Sequence, residues 1–100
     1  MIIVILDAST AADDRPRALA QLDGERDRVR AMPGNLAYRV YASREDTTGV
    51  TLIHEWQDEA SLAGYLASDS FVRSGRVLRP IMDGPATSRR FRAELMETVG

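Results

Sequence analysis

His54 and Trp56 are the only histidine and the only tryptophan in the chain, and they stand two residues apart in Val50-Thr51-Leu52-Ile53-His54-Glu55-Trp56. An imidazole titrates near neutral pH and can take a proton from a bound acid. An indole offers a broad apolar face and one N–H donor. If this stretch is a strand, alternate side chains share a face. Val50, Leu52, His54 and Trp56 then point one way, and Thr51, Ile53, Glu55 and Gln57 the other. Tyr38 joins the His54 face if Leu36 and Val40 point inward. Tyr65 lies on a helix above it, and Phe71 packs inward from a later helical piece. Arg76 then reaches the mouth of a cleft between helices and sheet, where a guanidinium holds a phenolate or carboxylate. Plainer readings stand beside these: a core indole, a satisfied structural imidazole, and a solvated arginine next to Arg73 and Arg79.

Missing residues exclude other chemistry. The chain has no cysteine, so it has neither a thiolate nucleophile nor a disulfide framework. All 13 basic residues are arginine, which rules out a lysine Schiff base. One histidine without cysteine argues against a conventional zinc site. Neither a phosphate-binding glycine loop nor a nucleophile elbow is present. A conventional zinc site is therefore not expected. The formal net charge of −2 and the lack of a basic stripe argue against nucleic acid. Met1 to Leu6 is apolar but too short to span a bilayer, and it lacks the basic leader of a signal peptide. The expected location is the cytoplasm, with no membrane partner.

The elements that must position these residues follow from periodicity. The 100 residues suit one domain, 1–100, and 44% apolar with 28% charged residues is a globular composition. Ile2 to Leu6 reads as a strand buried on both faces. Asp13-Asp14-Arg15-Pro16 starts a helix with Ala18, Leu22, Val29 and Met32 on its inner face. Pro33-Gly34-Asn35 ends it. Leu36 to Ser43 and Val50 to Trp56 form a hairpin. Asp58 caps a helix that Ser68-Asp69-Ser70 interrupts. Arg89 to Met96 is a last strand, with Phe91, Ala93 and Leu95 alternating against Arg90, Arg92 and Glu94. The order β-α-β-β-α-β predicts an α+β, ferredoxin-like four-stranded antiparallel sheet with its first and third strands central.

Two helices cover only one sheet face. The other would carry Ile3, Ile5, Tyr41 and Ile53 among Arg39, Glu55, Arg92 and Glu94. That mixture is too apolar to leave wet, so a two-fold homodimer, sheet against sheet, is expected.

Three stretches resemble the antibiotic biosynthesis monooxygenase domain. They are Gly34-Asn35-Leu36-Ala37-Tyr38-Arg39-Val40-Tyr41, Glu55-Trp56-Gln57-Asp58-Glu59-Ala60-Ser61-Leu62, and Tyr65-Leu66-Ala67-Ser68-Asp69-Ser70-Phe71. The resemblance implies a dimeric α+β barrel. It also implies one of three behaviours: quinone-forming oxidation without metal, flavin or haem, haem degradation, or no activity. In the quinone-forming type a tryptophan late in the third strand lines the cleft, which Trp56 matches, and a later helical arginine corresponds to Arg76. An asparagine on the third strand is replaced here by Leu52, and a tyrosine early in the second helix by Leu62, with Tyr65 one turn on. The haem-degrading set falls on Asp7, Tyr65 and Gly75, which argues against haem. The expected function is cofactor-independent oxidation of a small aromatic hydroquinone or polyphenol by dioxygen. His54 would serve as base, Trp56 and Arg76 would stabilise negative charge, and Tyr38, Tyr65, Phe71 and Leu52 would contact substrate. The alternatives are a non-catalytic small-molecule-binding dimer and an isomerase or cyclase on the same barrel.

Overall fold

The computed structural model describes residues 1–100. Strand β1 spans Ile2–Ser9, helix α1 Arg15–Arg30, β2 Asn35–Ala42 and β3 Gly49–Trp56. Helices α2 (Glu59–Leu66) and α3 (Asp69–Leu78) follow, and then β4 (Thr87–Arg92). The sheet order is β2-β3-β1-β4, every pair antiparallel. The two runs richest in β-branched residues therefore sit in the middle, as the two-sided apolar first strand requires. This is the ferredoxin-like α+β fold.

Helix α1 places Ala18, Leu22, Glu25 and Val29 on its buried face, at spacings of four, three and four. Pro16 lies in its first turn. The Asp14 side chain makes no capping bond, so the acidic cap expected there is absent. Gly34 turns the chain into β2 at φ +79°, where a Cβ would collide with the Ser61 side chain. The Ser68 interruption separates two helices: the Ser68 hydroxyl caps α3 by accepting from the Phe71 N–H at 3.2 Å.

Two local expectations fail for reasons outside their own segments. Leu36 is 54% exposed rather than inward, because a register shift between Asn35 and Ala37 turns it out. The last strand lies earlier than Arg89 to Met96, and its faces are reversed. Arg90 and Arg92 pair opposite Val4 and Ile2 on the helix side, and Phe91 opposite Ile3 on the open side. Pairing with β1 sets that register, and the long arginine stems reach the flank of α2, where Arg92 bonds Glu59 at 2.7 Å.

The core fills the space between the sheet and the helices: Ile2, Val4, Ala18, Leu22, Val29, Tyr38, Val50, Leu52, Trp56, Leu62 and Tyr65. No helix is long and apolar enough to cross a membrane.

Candidate functional site

Strand β3 alternates as its sequence requires, with Val50, Leu52, His54 and Trp56 all buried on the helix side. The two halves of that face meet different neighbours. Trp56 is 0% exposed and stacks on Tyr65 with ring centroids 5.3 Å apart. Its Nε1–H donates to His54 Nδ1 at 2.7 Å. That bond fixes the neutral imidazole with its proton on Nε2. Burial, with the positive charge of Arg90 added, pushes the His54 pKa down to about 4. The Tyr65 ring lies 5.1 Å from the imidazole and covers it. Tyr38 is 0% exposed, and its hydroxyl donates to the Leu22 carbonyl at 3.1 Å. Burial pushes that phenol far up, so it stays protonated.

Beside this sealed layer the sheet and α3 stand apart. A hollow of about 430 Å³ opens there, lined on the sheet by Leu6 and Leu52 and on the helices by Leu22, Tyr65, Phe71, Ser74, Gly75 and Leu78. Its size lies within the usual range of small-molecule sites, about 300–1,000 Å³. The inward stripe of α3 is Phe71, Ser74, Gly75, Leu78, at helical spacing. Two of its four members are small, which leaves the volume unfilled. Met82, Gly84, Pro85 and Ala86 form the rim together with Arg79. The Arg79 guanidinium folds over Gly75: a Cβ there would stand 3.2 Å from its Cζ and Nη2 and 3.3 Å from its Nη1.

The structure therefore brings Leu52, Tyr65 and Phe71 to one cavity. It withholds His54, Trp56 and Tyr38, which are buried, with His54 Nδ1, Trp56 Nε1 and the Tyr38 hydroxyl hydrogen-bonded. Arg76 is exposed and lies off the hollow, because the inward phase of α3 runs through residues 71, 74, 75 and 78. The arginine at the rim is Arg79, one helical turn beyond Gly75. That Gly75–Arg79 spacing of four was the signal available in the sequence. The lining contains no carboxylate and no imidazole. Burial pushes the Tyr65 phenol up to about 12, so it donates hydrogen bonds rather than accepting a proton.

A second residue escaped sequence reasoning. Glu25 occupies an inner position of α1 and is 4% exposed. Arg73 of α3 grips it twice, at 2.6 and 3.0 Å, and Arg28 approaches at 3.3 Å. The Arg73 bond above all holds the carboxyl down at about 2. This clamp ties α1 to the helix that walls the hollow. No group of three or more His, Cys, Asp or Glu side chains gathers at metal-binding range.

A model of the antibiotic biosynthesis monooxygenase family matches residues 1–74. No curated protein matches the chain. Solved structures match it closely in shape. A candidate antibiotic biosynthesis monooxygenase from Deinococcus radiodurans is 17% identical, covers 100% of both chains and has a TM-score of 0.90. Another from Nitrosomonas europaea is 16% identical over 93% of this chain and 98% of its own, at TM-score 0.87. A conserved protein of Methanosarcina mazei is 22% identical over 93% and 92%, at TM-score 0.86. At these identities the likeness shows the fold alone.

Proposed function

The chain belongs to the antibiotic biosynthesis monooxygenase family, and from that premise we propose that it oxidises a small aromatic hydroquinone or polyphenol with dioxygen, forming a quinone. In this reading residues 1–100 act as one domain, in a cytoplasmic homodimer, without an added cofactor. The observation that carries it is the apolar hollow with a single cationic group at its rim. A flat ring fits between Leu52, Phe71 and Tyr65, and Arg79 holds a phenolate.

The oxidation balances without a reductant. One oxygen atom of dioxygen becomes the new carbonyl; the other leaves as water with one ring hydrogen and one phenolic hydrogen. All the electrons come from the ring, and the phenolate is its more electron-rich form. A guanidinium remains protonated throughout, so it favours that anion without titrating. Tyr65, kept protonated, supplies a hydrogen-bond donor. His54 and Trp56 act at one remove, as positioning residues that fix the surface on which Tyr65 stacks.

Oxygen uptake with a panel of hydroquinones and anthrones, no cofactor added, tests the proposal. Wild-type uptake is expected, with a loss of roughly ten-fold or more for Arg79→Met and no change for Arg76→Ala. No uptake across the panel overturns it. One observation favours a second reading, a binding protein without turnover: no residue lining the hollow is a base at neutral pH. That reading predicts thermal stabilisation by the same compounds in the absence of uptake.

A further inference from the structure

The hollow does not end at Leu52. Behind it lies a second, largely enclosed void of about 20 Å³. Leu6, Leu22, Leu52, Leu78 and Met82 line both spaces, so only side chains divide them. Ala8, Thr10, Ala18 and Val50 close the far end. The void follows from side-chain size in register. On the helix side of the sheet the Leu6–Leu52 pair is followed by Ala8–Val50. Ala18, buried on α1, comes down over that second pair. Two alanines and a valine thus meet beside a row of leucines, and the volume stays unfilled.

The void is chemically selective. Its volume just exceeds the about 10–15 Å³ that a single water needs, but a buried water also wants about two to four polar partners. Thr10 is the one polar residue in the lining, and its hydroxyl donates to the Ala11 carbonyl at 2.8 Å. A methyl group is only slightly wider than a water and wants no partner. Met82 is the divider able to move. Its backbone is pinned: its N–H donates to the Leu78 carbonyl at 3.0 Å, the Asp83 N–H donates to the Ser9 carbonyl at 2.7 Å, and Met82 bridges to Thr10. Its side chain is unbranched and flexible, and stands at the rim of the hollow and on the wall of the void at once. A rotamer change there joins the two spaces without moving the chain.

We propose, resting on the reading of the hollow as a site for a small aromatic ring, that the inner void is a subsite for a short alkyl substituent, and that the ring this protein takes carries a methyl group. The ring lies against Leu52, and its methyl passes Met82 to meet Ala8, Ala18 and Val50. Two fixed points, the void and the Arg79 guanidinium, then orient the ring. Val50 sets the length of substituent admitted, because it is the largest apolar side chain at the closed end.

Oxygen uptake by the full chain with hydroquinone and its methyl, ethyl and tert-butyl derivatives tests the proposal, beside thermal stabilisation by the same compounds under argon. Hydroquinone has a single monomethyl derivative, so no isomer has to be chosen. Wild type is expected to favour methylhydroquinone over hydroquinone about ten-fold or more in kcat/KM, with the tert-butyl compound below both. A methyl also makes the ring easier to oxidise. The same order must therefore appear in stabilisation under argon and must change with Val50. Val50→Ile puts one more methyl into the void. It should remove the methyl preference in stabilisation and leave the ligand-free melting temperature unchanged or higher. Val50→Ala lengthens the void and should move the preference to ethylhydroquinone. Methyl-selective stabilisation without uptake overturns the oxidation and upholds the subsite. Uptake without methyl-selective stabilisation, or a selectivity that both Val50 variants leave unchanged, overturns the subsite alone. Neither uptake nor stabilisation overturns both.

Discussion

Helices α2 and α3 lie on the same side of the same sheet, yet one seals what it covers and the other leaves a cavity. Against the Trp56 end of β3, α2 presents Leu62 and Tyr65. Large side chains meet large side chains, and the Trp56 Nε1–H and His54 Nδ1 satisfy each other. Against the Leu52 end, α3 presents Phe71, Ser74, Gly75 and Leu78, and its two small residues leave the hollow. The residues richest in chemical capacity thus became structure, and an apolar stripe with two small members became the candidate site. A protein interior is close-packed by default, so an unfilled volume beside a rim arginine is the feature that needs explaining.

Substitutions divide the two regions. The largest effect is expected at Trp56→Ala, which empties the sealed layer and costs about 3–5 kcal/mol, read by urea denaturation. Trp56→Phe keeps most of the volume but leaves His54 Nδ1 without its donor, and costs about 1–3 kcal/mol. On the hollow side, Glu25→Ala frees α3 from α1 and costs about 1–3 kcal/mol. It should also weaken binding of aromatic ligands, which no substitution confined to the sealed layer's outer flank would do. Gly75→Leu fills the hollow and displaces the Arg79 guanidinium. It should abolish ligand-dependent thermal stabilisation with a stability change within about 1 kcal/mol, because the helix gains from losing a glycine. Equal stability losses for Gly75→Leu and Trp56→Ala would erase the distinction between the two regions.

Acid should act on the regions in sequence. His54 has a folded-state value of about 4, below its ordinary 6.5. The unfolded chain therefore binds the proton first, and stability falls as pH drops from 6.5 to 4, then levels off. Glu25 is held at about 2, below its ordinary 4.5. Its contribution is intact above 4.5 and is lost as pH falls towards 2. Denaturation across this range should show the first loss disappearing in His54→Gln and the second in Glu25→Gln. The imidazole resonances of His54 should stay those of a neutral ring well below pH 6.5.

Much of the fold could be read locally. Alternation in β3 placed His54 beside Trp56 on the buried face, and the two-sided apolar run of β1 placed that strand inside the sheet. Capping by Ser68 and the break at Pro33-Gly34 lie within a few residues of what they control. Leu52, Tyr65 and Phe71 were readable as cavity-side residues because each follows the period of its own element. Arg76 was misplaced for want of the phase of α3, and Glu25 passed as one more charged position on α1 because its partner lies 48 residues away.

The sequence by itself determined the order of elements, the buried face of each central strand, and the identity of the side chains crowded beneath α2. Only the tertiary structure decided which of those side chains retain free polar atoms, which arginine borders the hollow, and which way β4 faces. Periodicity is a property of one segment. A void, a hydrogen bond across two strands and a pairing register are sums over segments far apart in the chain, and they exist only once those segments are packed together.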